Sequence, residues 1–277
     1  MSSGGPGHHQ ALDIDSILFR TLLSEGKKEQ AIKISENILQ RSRSIEERNH
    51  ETEAWIRMER ALLGTIDHGR IGEELRWCVE RLSATSTGTE IHGIALLNLG
   101  SWHRNNGEPM MALVILSDIS SSSGHSNEVI GISRLESGRI LVEIGDLESA
   151  MRHLWIALKR LSGSGMSAES IVCAMEWLDI ALDDVKTSSP RMLERITNAQ
   201  PRETSGISRA PSNPDDVREV INSIIPHIFL DLSGDPRDDL GLVIDAGNII
   251  GESSWLEEML ERSGEIQDSR LIEALQS

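Results

Sequence analysis

The 277-residue chain contains no tyrosine, two phenylalanines and two cysteines. Aromatic and β-branched residues are enriched in β-strands, and the few β-branched runs here follow helical rather than alternating spacing, which disfavours a sheet protein. Cys78 and Cys173 lie far apart in different apolar segments, so we expect two buried thiols rather than a disulfide or a metal site. The composition therefore favours an all-α fold.

Lysine is also scarce, because the chain has five lysines and no basic run longer than two residues. The formal net charge is −17 at pH 7. Proteins that bind nucleic acid neutralise phosphates with clustered Lys and Arg, so this charge pattern argues against a nucleic-acid partner. A solvated acidic surface is the simplest explanation of the charge.

Long hydrophobic runs are missing as well. The segment "IHGIALLNLG" reaches only about half of the roughly 20 residues that a membrane-spanning helix needs. The first ten residues, "MSSGGPGHHQ", do not combine a basic segment with an apolar one, as a signal peptide would. We therefore expect a cytoplasmic protein with a flexible leader over residues 1–10 and no membrane partner.

What the sequence does contain is a repeated turn between apolar helices. In "VEIGDLESAMRHLWIALKRL", Gly145 follows one helix and Asp146 is placed to cap the next, whose apolar residues recur every three or four positions. Similar turns are predicted at four glycines separated by 43, 38 and 38 residues: Gly26, Gly69, Gly107 and Gly145. This regular spacing predicts an array of helix hairpins.

A second spacing accompanies these turns. Five residues after the glycine stands an alanine in three of the units, namely Ala31, Ala112 and Ala150, whereas Glu74 takes this place after Gly69. Four residues further on stand Leu116 and Leu154 in the last two units. A small residue here permits close approach of the two helices.

These positions resemble the tetratricopeptide repeat, a helix-turn-helix unit of about 34 residues. Leu99, Gly100 and His103 match first-helix positions of one repeat, and Gly138 and Leu141 match two of them in the next. The resemblance covers about residues 11–162. It implies a right-handed solenoid of antiparallel helix hairpins, with a longer period than the family's because Ser/Gly loops separate the hairpins.

The organisation of the chain follows from this pattern. We predict repeats over 11–199, a Pro/Gly/Ser-rich loop or linker over 200–213, and divergent helical repeats or a cap over 214–277. Local signals predict further helix ends: Ser167 and Asn213 as caps, Pro190 and Pro214 in first turns, a kink or end at Pro226, and a bend at Gly251.

The first helices line the concave, peptide-binding surface in tetratricopeptide arrays. The resemblance therefore implies a partner-binding surface formed by Asn98, Ser101, Arg104, Asn105, Leu135, Arg139 and Glu143. Its two arginines suit an acidic segment or a chain terminus, and the alternative is that these are ordinary solvated residues. Ser16, Glu59 and Leu97 stand where the chaperone-binding members carry basic residues, so binding of a chaperone tail is not expected.

Aromatic and imidazole side chains have two interpretations. Apolar surroundings at helical spacing predict core positions for Trp77, Trp155 and Trp177, whereas Trp55, Trp102 and Trp255 fit either the core or a groove that anchors a ligand. His103 and His153 lie on or beside apolar helix faces, which favours a structural role over metal binding.

Paired acids raise the alternative of a metal-dependent helical enzyme that uses Asp183/Asp184 and Asp238/Asp239. Adjacent residues of a helix point about 100° apart, and first-turn acids such as Asp215 and Asp216 stabilise the helix dipole, so a structural role is preferred. No zinc-protease motif or phosphate loop occurs. We therefore predict no cofactor and no resident metal.

The preferred function is a non-catalytic protein-interaction module or scaffold that binds a protein or peptide segment on its concave helical surface. A homo-oligomer is compatible with this function. The third alternative, a repeat-containing transcription regulator, requires a DNA-binding element that a ten-residue leader is too short to supply.

Overall fold

The computed structural model describes residues 6–198, 211–229 and 236–276. Over these ranges the chain forms α-helices, three short 3-10 helices and no strand, apart from one isolated bridge between Val185 and Ser212. The predicted all-α class is thus confirmed. The chain divides into two compact units, Met1–Val129 (unit 1) and Ile130–Ser277 (unit 2). Within the described ranges, no helix combines the length and apolar character needed to cross a membrane.

Unit 1 is built from consecutive helices that pack against their neighbours in chain order. These helices are α1 (Pro6–Ser24), α2 (Lys28–Ser42), α3 (His50–Leu62), α4 (Ile71–Thr85), α5 (Glu90–Asn105) and α6 (Pro109–Ser117). The boundary between the units falls inside α7 (Asn127–Glu143). Because α1 begins at Pro6, the predicted flexible leader over 1–10 is too long; residues 1–5 lie outside the described ranges.

The hairpins share a register that the sequence spacing only partly predicts. In the second helices α2, α4, α6 and α8 (Leu147–Ser162), the fourth residue is Ala31, Glu74, Ala112 and Ala150. The eighth residue of the same helices is Ser35, Cys78, Leu116 and Leu154, all fully buried. Apart from Glu74, each of these side chains therefore belongs to the interior.

Two hairpins bring their helices together through the same three positions. A Cβ placed on Gly100 of α5 would lie 3.0 Å from Cγ of Leu116 and 3.7 Å from the backbone oxygen of Ala112. A Cβ placed on Gly138 of α7 would lie 2.9 Å from Cγ of Leu154 and 3.5 Å from the backbone oxygen of Ala150. The glycines are therefore required for close packing of one helix on the next.

The turn of the second hairpin differs from the prediction. Gly26, Gly107 and Gly145 have positive φ angles of 71°, 76° and 82° and reverse the chain as expected, whereas Gly69 lies in a 3-10 helix and Gly64 has the positive φ. Gly64 is the second residue after the end of α3. In the other hairpins the second helix begins two residues after the turn glycine, whereas α4 begins five residues later than this after Gly64. Because of these five additional residues, Gly69 stands at the same distance from α4 as a turn glycine does from the second helix in the other hairpins.

An ion pair fills the place of the glycine–alanine contact in this hairpin. Arg57 lies seven residues before Gly64, as Gly100 lies before Gly107, and it faces Glu74. Its Nε and Nη2 donate to the two carboxylate oxygens of Glu74 at 2.5 and 2.6 Å. Burial lowers the pKa of Arg57, but the bonded Glu74 carboxylate more than offsets this, so the net pKa is raised. The guanidinium also stacks on Trp77, 3.6 Å from the ring centroid.

Unit 2 continues the helical architecture. After α8 it contains α9 (Ser167–Leu182), α10 (Met192–Thr197), α11 (Pro214–Ile228), α12 (Pro236–Ile250), α13 (Ser254–Glu261) and α14 (Ser269–Gln276). Helix α8 packs on α9, where the rings of Trp155 and Trp177 lie 5.4 Å apart in the core. Helix α9 also contacts α11 and α12, so it is the central element of this unit.

The capping predictions have mixed outcomes. Asp146 and Asn213 accept hydrogen bonds from Ser149 N and Asp215 N and cap α8 and α11 as predicted. Ser167 is not a cap, because it is the first helical residue and the cap position belongs to Met166.

The proline predictions also need correction. Pro190 precedes α10 instead of lying in its first turn. Helix α11 continues for two residues past Pro226, so this proline does not end the helix where it stands, whereas Gly251 forms the bend between α12 and α13 with a φ of 71°.

The predicted loop at 200–213 connects parts of one unit. Residues 200–210 lie outside the described ranges, but Ser212 is held in place, since its N–H donates to Asp184 O and its carbonyl accepts from Lys186 N. Helix α11, beyond the loop, packs on α9 before it. The division between repeats over 11–199 and a divergent set of repeats or a cap over 214–277 therefore remains a prediction.

Candidate functional site

A cavity of about 400 Å³ opens on α1, α3 and α5, the first helix of each hairpin in unit 1. Helix α3 lines it with Glu51, Trp55, Met58 and Glu59; α5 and the residue before it with Thr89, Glu90, Ile91 and Ile94; and α1 with Arg20. Two cavities of unit 2, near the α12–α13 bend and near Pro214, measure about 240 and 260 Å³. The unit 1 cavity has the largest volume of the three, and it alone contains a tryptophan together with three carboxylates.

Helical periodicity places these side chains on one surface. Glu51, Trp55, Met58 and Glu59 stand at positions i, i+4, i+7 and i+8 of α3 and therefore share a face. Trp55 and Met58 are buried and form the floor, whereas Glu51 is exposed at the rim. The α3 face thus combines an apolar floor with acidic edges.

Trp55 is fixed in orientation from several sides. Phe19 of α1 packs edge-on against its ring, with ring centroids 5.5 Å apart. Its indole Nε1–H donates to Oε1 of Glu59 at 3.1 Å, and the guanidinium of Arg20 lies 5.0 Å above the ring centroid. The cavity floor is therefore rigid before any ligand arrives.

Electrostatically the cavity is acidic. It holds three carboxylates, of Glu51, Glu59 and Glu90, and one guanidinium, of Arg20. Burial raises the pKa of Glu59 above its ordinary value, although the Trp55 hydrogen bond and the Arg20 charge act in the opposite direction. The negative charge of Glu59 is thus incompletely compensated within the protein.

The predicted binding residues of α5 lie on the same face as this cavity. Asn98, Ser101 and Asn105 continue the spacing of Ile91 and Ile94 along α5. Asn98 is nearest, since its side-chain Nδ2 donates to Sδ of Met58 at 3.3 Å. Ser101 and Asn105 are exposed further along the helix. The cavity lies nearer the start of α5 than these three residues do, and their contact with a partner stays a prediction.

The remaining predicted binding residues have different environments. Arg104 is half-buried. In unit 2, Leu135 is 4% exposed and so belongs to the core, not to a contact surface, while Glu143 is exposed. Arg139 donates to Glu176 at 2.7 Å and to Glu136 at 2.9 Å. Because two carboxylates already bind Arg139, an acidic ligand would have to displace them.

The tryptophan at the centre of the cavity was not selected by sequence reasoning, which left Trp55 between core and groove. The available signal was the run "ETEAWIRMER", in which acids precede and follow Trp55 at one-turn intervals. Of the three predicted core tryptophans, Trp155 and Trp177 are buried, whereas Trp77 is half-buried beneath Arg57.

One acidic pair, Asp215 and Asp216, is bonded within the protein. Asp215 is bonded to Arg218 at 2.7 Å, and buried Asp216 accepts from Met192 N at 2.7 Å. Asp183 is exposed just after α9, and the side chains of Asp238 and Asp239 lie outside the described ones. Among the described residues, no group of three or more His, Cys, Asp or Glu is arranged to hold a metal ion.

The thiols and two of the histidines are structural. Cys78 and Cys173 are buried and form no disulfide, as predicted, and burial raises the pKa of each to about 12. His103 is buried and its Nδ1 lies 2.5 Å from Oε2 of Glu108. Burial, reinforced by the nearby arginines Arg134 and Arg152, lowers the pKa of His153 to about 4. These groups offer no nucleophile or base at the cavity.

A pair of buried histidines lies elsewhere in unit 1, between the α4–α5 turn and the segment before α7. Ser83 Oγ donates to Val79 O and so accepts from Nε2 of His92 at 2.9 Å. His92 Nδ1 then accepts from His125 Nε2 at 3.1 Å and from Gly88 N at 3.3 Å. The Nδ1 of His92 can accept these bonds only while the His92 ring is neutral.

We expect His92 to make the stability pH-dependent. Burial and the neighbouring His125 lower the pKa of His92, against the opposing charge of Asp118. The unfolded state, with a histidine pKa of about 6.5, then binds more protons than the folded state, so stability falls as the pH decreases below about 6.5. In urea unfolding at pH 7 and pH 5, His92→Gln should lose less stability than the wild type. Equal losses in the two proteins would contradict this role.

Comparison with known proteins does not identify a family for this arrangement: no protein-family model matches the chain, and no curated protein sequence is significantly similar to it.

Proposed function

We propose that the chain is a non-catalytic protein-interaction module, a cytoplasmic scaffold of tetratricopeptide-like helix hairpins that binds a partner segment on the first helices of unit 1. The observation that carries this proposal is the cavity formed by α1, α3 and α5. Its rigid apolar floor and charged rim are typical of sites that anchor one or two side chains of a partner.

The repeat character is supported by the register shared by the hairpins. The glycine, alanine and leucine of α5 and α6 recur 38 residues later in α7 and α8, with nearly the same distances. In tetratricopeptide repeats these positions join the two helices, and the first helices carry the binding surface. The cavity lies on helices that this correspondence assigns as first helices.

Site-specific photocrosslinking in cells that naturally express the protein tests the proposal. The photoreactive residue p-benzoylphenylalanine replaces either Ile91, which lines the cavity, or Val114, an aliphatic residue of α6 that is 59% exposed and lies outside the cavity lining. We expect one partner segment to be crosslinked at position 91 and not at position 114. Crosslinks at position 114 alone, or equally at both positions, would contradict the proposal.

A further inference from the structure

The acidic lining of the cavity determines what kind of side chain a partner can place there. Glu51 and Glu59 of α3 face the cavity together with Glu90 of α5. The guanidinium on its lining, from Arg20, is already placed over the ring of Trp55. An acidic segment would meet three like charges, which is costly where the partners are partly desolvated, whereas a cation would be attracted.

Glu59 is the group best placed to recognise such a cation. Its carboxylate receives one hydrogen bond from Trp55, but an ionised carboxylate has about four acceptor positions. Burial raises its pKa, which means that its ionised form is under-compensated. A ligand cation that bonded to Glu59 would supply the missing charge and fill the remaining acceptor positions.

The apolar floor matches the rest of a long basic side chain. Trp55, Ile91 and Ile94 offer aliphatic and aromatic surface beneath the acidic rim. Arginine and lysine bury an aliphatic stem while their charged group stays among polar partners. The volume of about 400 Å³ lies within the range of roughly 300 to 1,000 Å³ typical of ligand cavities, and it accommodates such a side chain with an apolar neighbour.

We propose that the cavity on α1, α3 and α5 binds an arginine or lysine side chain of a partner protein segment, with Glu51, Glu59 and Glu90 around the cation and Trp55, Ile91 and Ile94 beneath its stem. This inference rests on the proposed function and specifies its partner as a basic segment flanked by apolar residues. It differs from the acidic segment or chain terminus that Arg104 and Arg139 would suit.

Binding of four pentapeptides to the full chain tests the inference. The probes are acetyl-Ala-Leu-X-Leu-Ala-amide with X as arginine, lysine, citrulline or glutamate, and citrulline is the neutral isostere of arginine. Because Trp55 Nε1–H donates to Glu59, a cation at Glu59 should shift the NMR signal of this indole N–H. We expect the arginine peptide to bind about tenfold or more tightly than the citrulline peptide, the loss typical of one charge-assisted hydrogen bond.

Variants separate a binding role from a structural one. Glu59→Gln keeps an acceptor for Trp55 but removes the charge, so it should weaken arginine-peptide binding about tenfold while leaving the melting temperature unchanged or higher. Glu73→Gln, an exposed first-turn acid of α4 outside the cavity, is the matched control and should bind as the wild type does. Binding of the arginine peptide should also weaken as the pH falls through the raised pKa of Glu59.

Several outcomes would overturn the inference. Equal binding of the arginine and citrulline peptides, no shift of the Trp55 signal with any peptide, or equal effects of Glu59→Gln and Glu73→Gln would each exclude recognition of a cation. If acetyl-arginine-amide alone bound as tightly as the pentapeptide, the assignment to a protein segment would be wrong. The crosslinking at Ile91 is independent of these results, so the proposed function can stand when the cation specificity fails.

Discussion

Replacing Gly138 with leucine should lower the free energy of unfolding by about 3 kcal/mol, the upper part of the range for overpacking a well-packed core. A Cβ at this position already lies 2.9 Å from both Cγ and Cδ2 of Leu154, which is fully buried. The backbone of Ala150 closes the same space at 3.5 Å, so α7 and α8 would have to separate. Urea unfolding of the full chain, followed by circular dichroism, measures the loss.

Gly241 of α12 is the matched control for this change. It is also a helical glycine of unit 2, but a Cβ there would meet no atom within 4 Å. Gly241→Leu should therefore leave stability unchanged or raise it by up to about 1 kcal/mol through helix propensity. A loss at position 241 as large as at position 138 would show that the packing argument is wrong.

A second change at Leu154 tests whether the two positions are directly coupled. Leu154→Ala alone should cost about 2–5 kcal/mol because it leaves a cavity in the core. In the double variant Gly138→Leu/Leu154→Ala, the new leucine can occupy part of that cavity, so the combined loss should be smaller than the sum of the single losses. Additive losses would mean that the residues do not share one space.

The contact between Gly138 and Leu154 is also a feature that the sequence could predict. The glycine, alanine and leucine spacing recurs at a constant 38 residues, because the same helix–helix contact imposes the same residues. The predicted turn was wrong in the hairpin of α3 and α4, where the chain departs from the constant spacing. The five additional residues between α3 and α4 moved the turn to Gly64, and Gly69 satisfied the spacing by coincidence.

The candidate site was less predictable than the fold. Of the residues that the resemblance assigned to the binding surface of α5, Asn98, Ser101 and Asn105 share one face, because they follow the period of the helix. The cavity depends on how α1, α3 and α5 come together, which no local pattern encodes. Leu135 was assigned to a surface on the family's pattern, although it is buried. The predicted acidic ligand rested on Arg104 and Arg139, and the sequence does not reveal that Arg139 is paired with Glu176.

The ion pair between Arg57 and Glu74 gives the second large prediction. Both side chains are only 18% exposed, and removal of one partner from a buried pair leaves an uncompensated charge. Glu74→Ala should therefore lower the free energy of unfolding by about 3 kcal/mol, which is the lower part of the range for buried pairs because some solvent reaches this one. Arg57→Ala should cost at least as much, since it also removes the contact with Trp77.

The double variant Arg57→Ala/Glu74→Ala tests whether this hairpin requires the charge pair or whether two small residues at these positions also suffice. It restores alanine at the fourth position of α4, as in α2, α6 and α8, and a small residue opposite it, as in α5 and α7. Cys78 stands at the position that the larger Leu116 and Leu154 occupy in α6 and α8. Alanine is therefore small enough at position 57, where α5 and α7 have glycine. The double variant should be about 2 kcal/mol more stable than the sum of the single losses predicts. Strict additivity in this double-mutant cycle would show that Arg57 and Glu74 are not energetically coupled, and the ion pair would then not be what joins α3 and α4 at these positions.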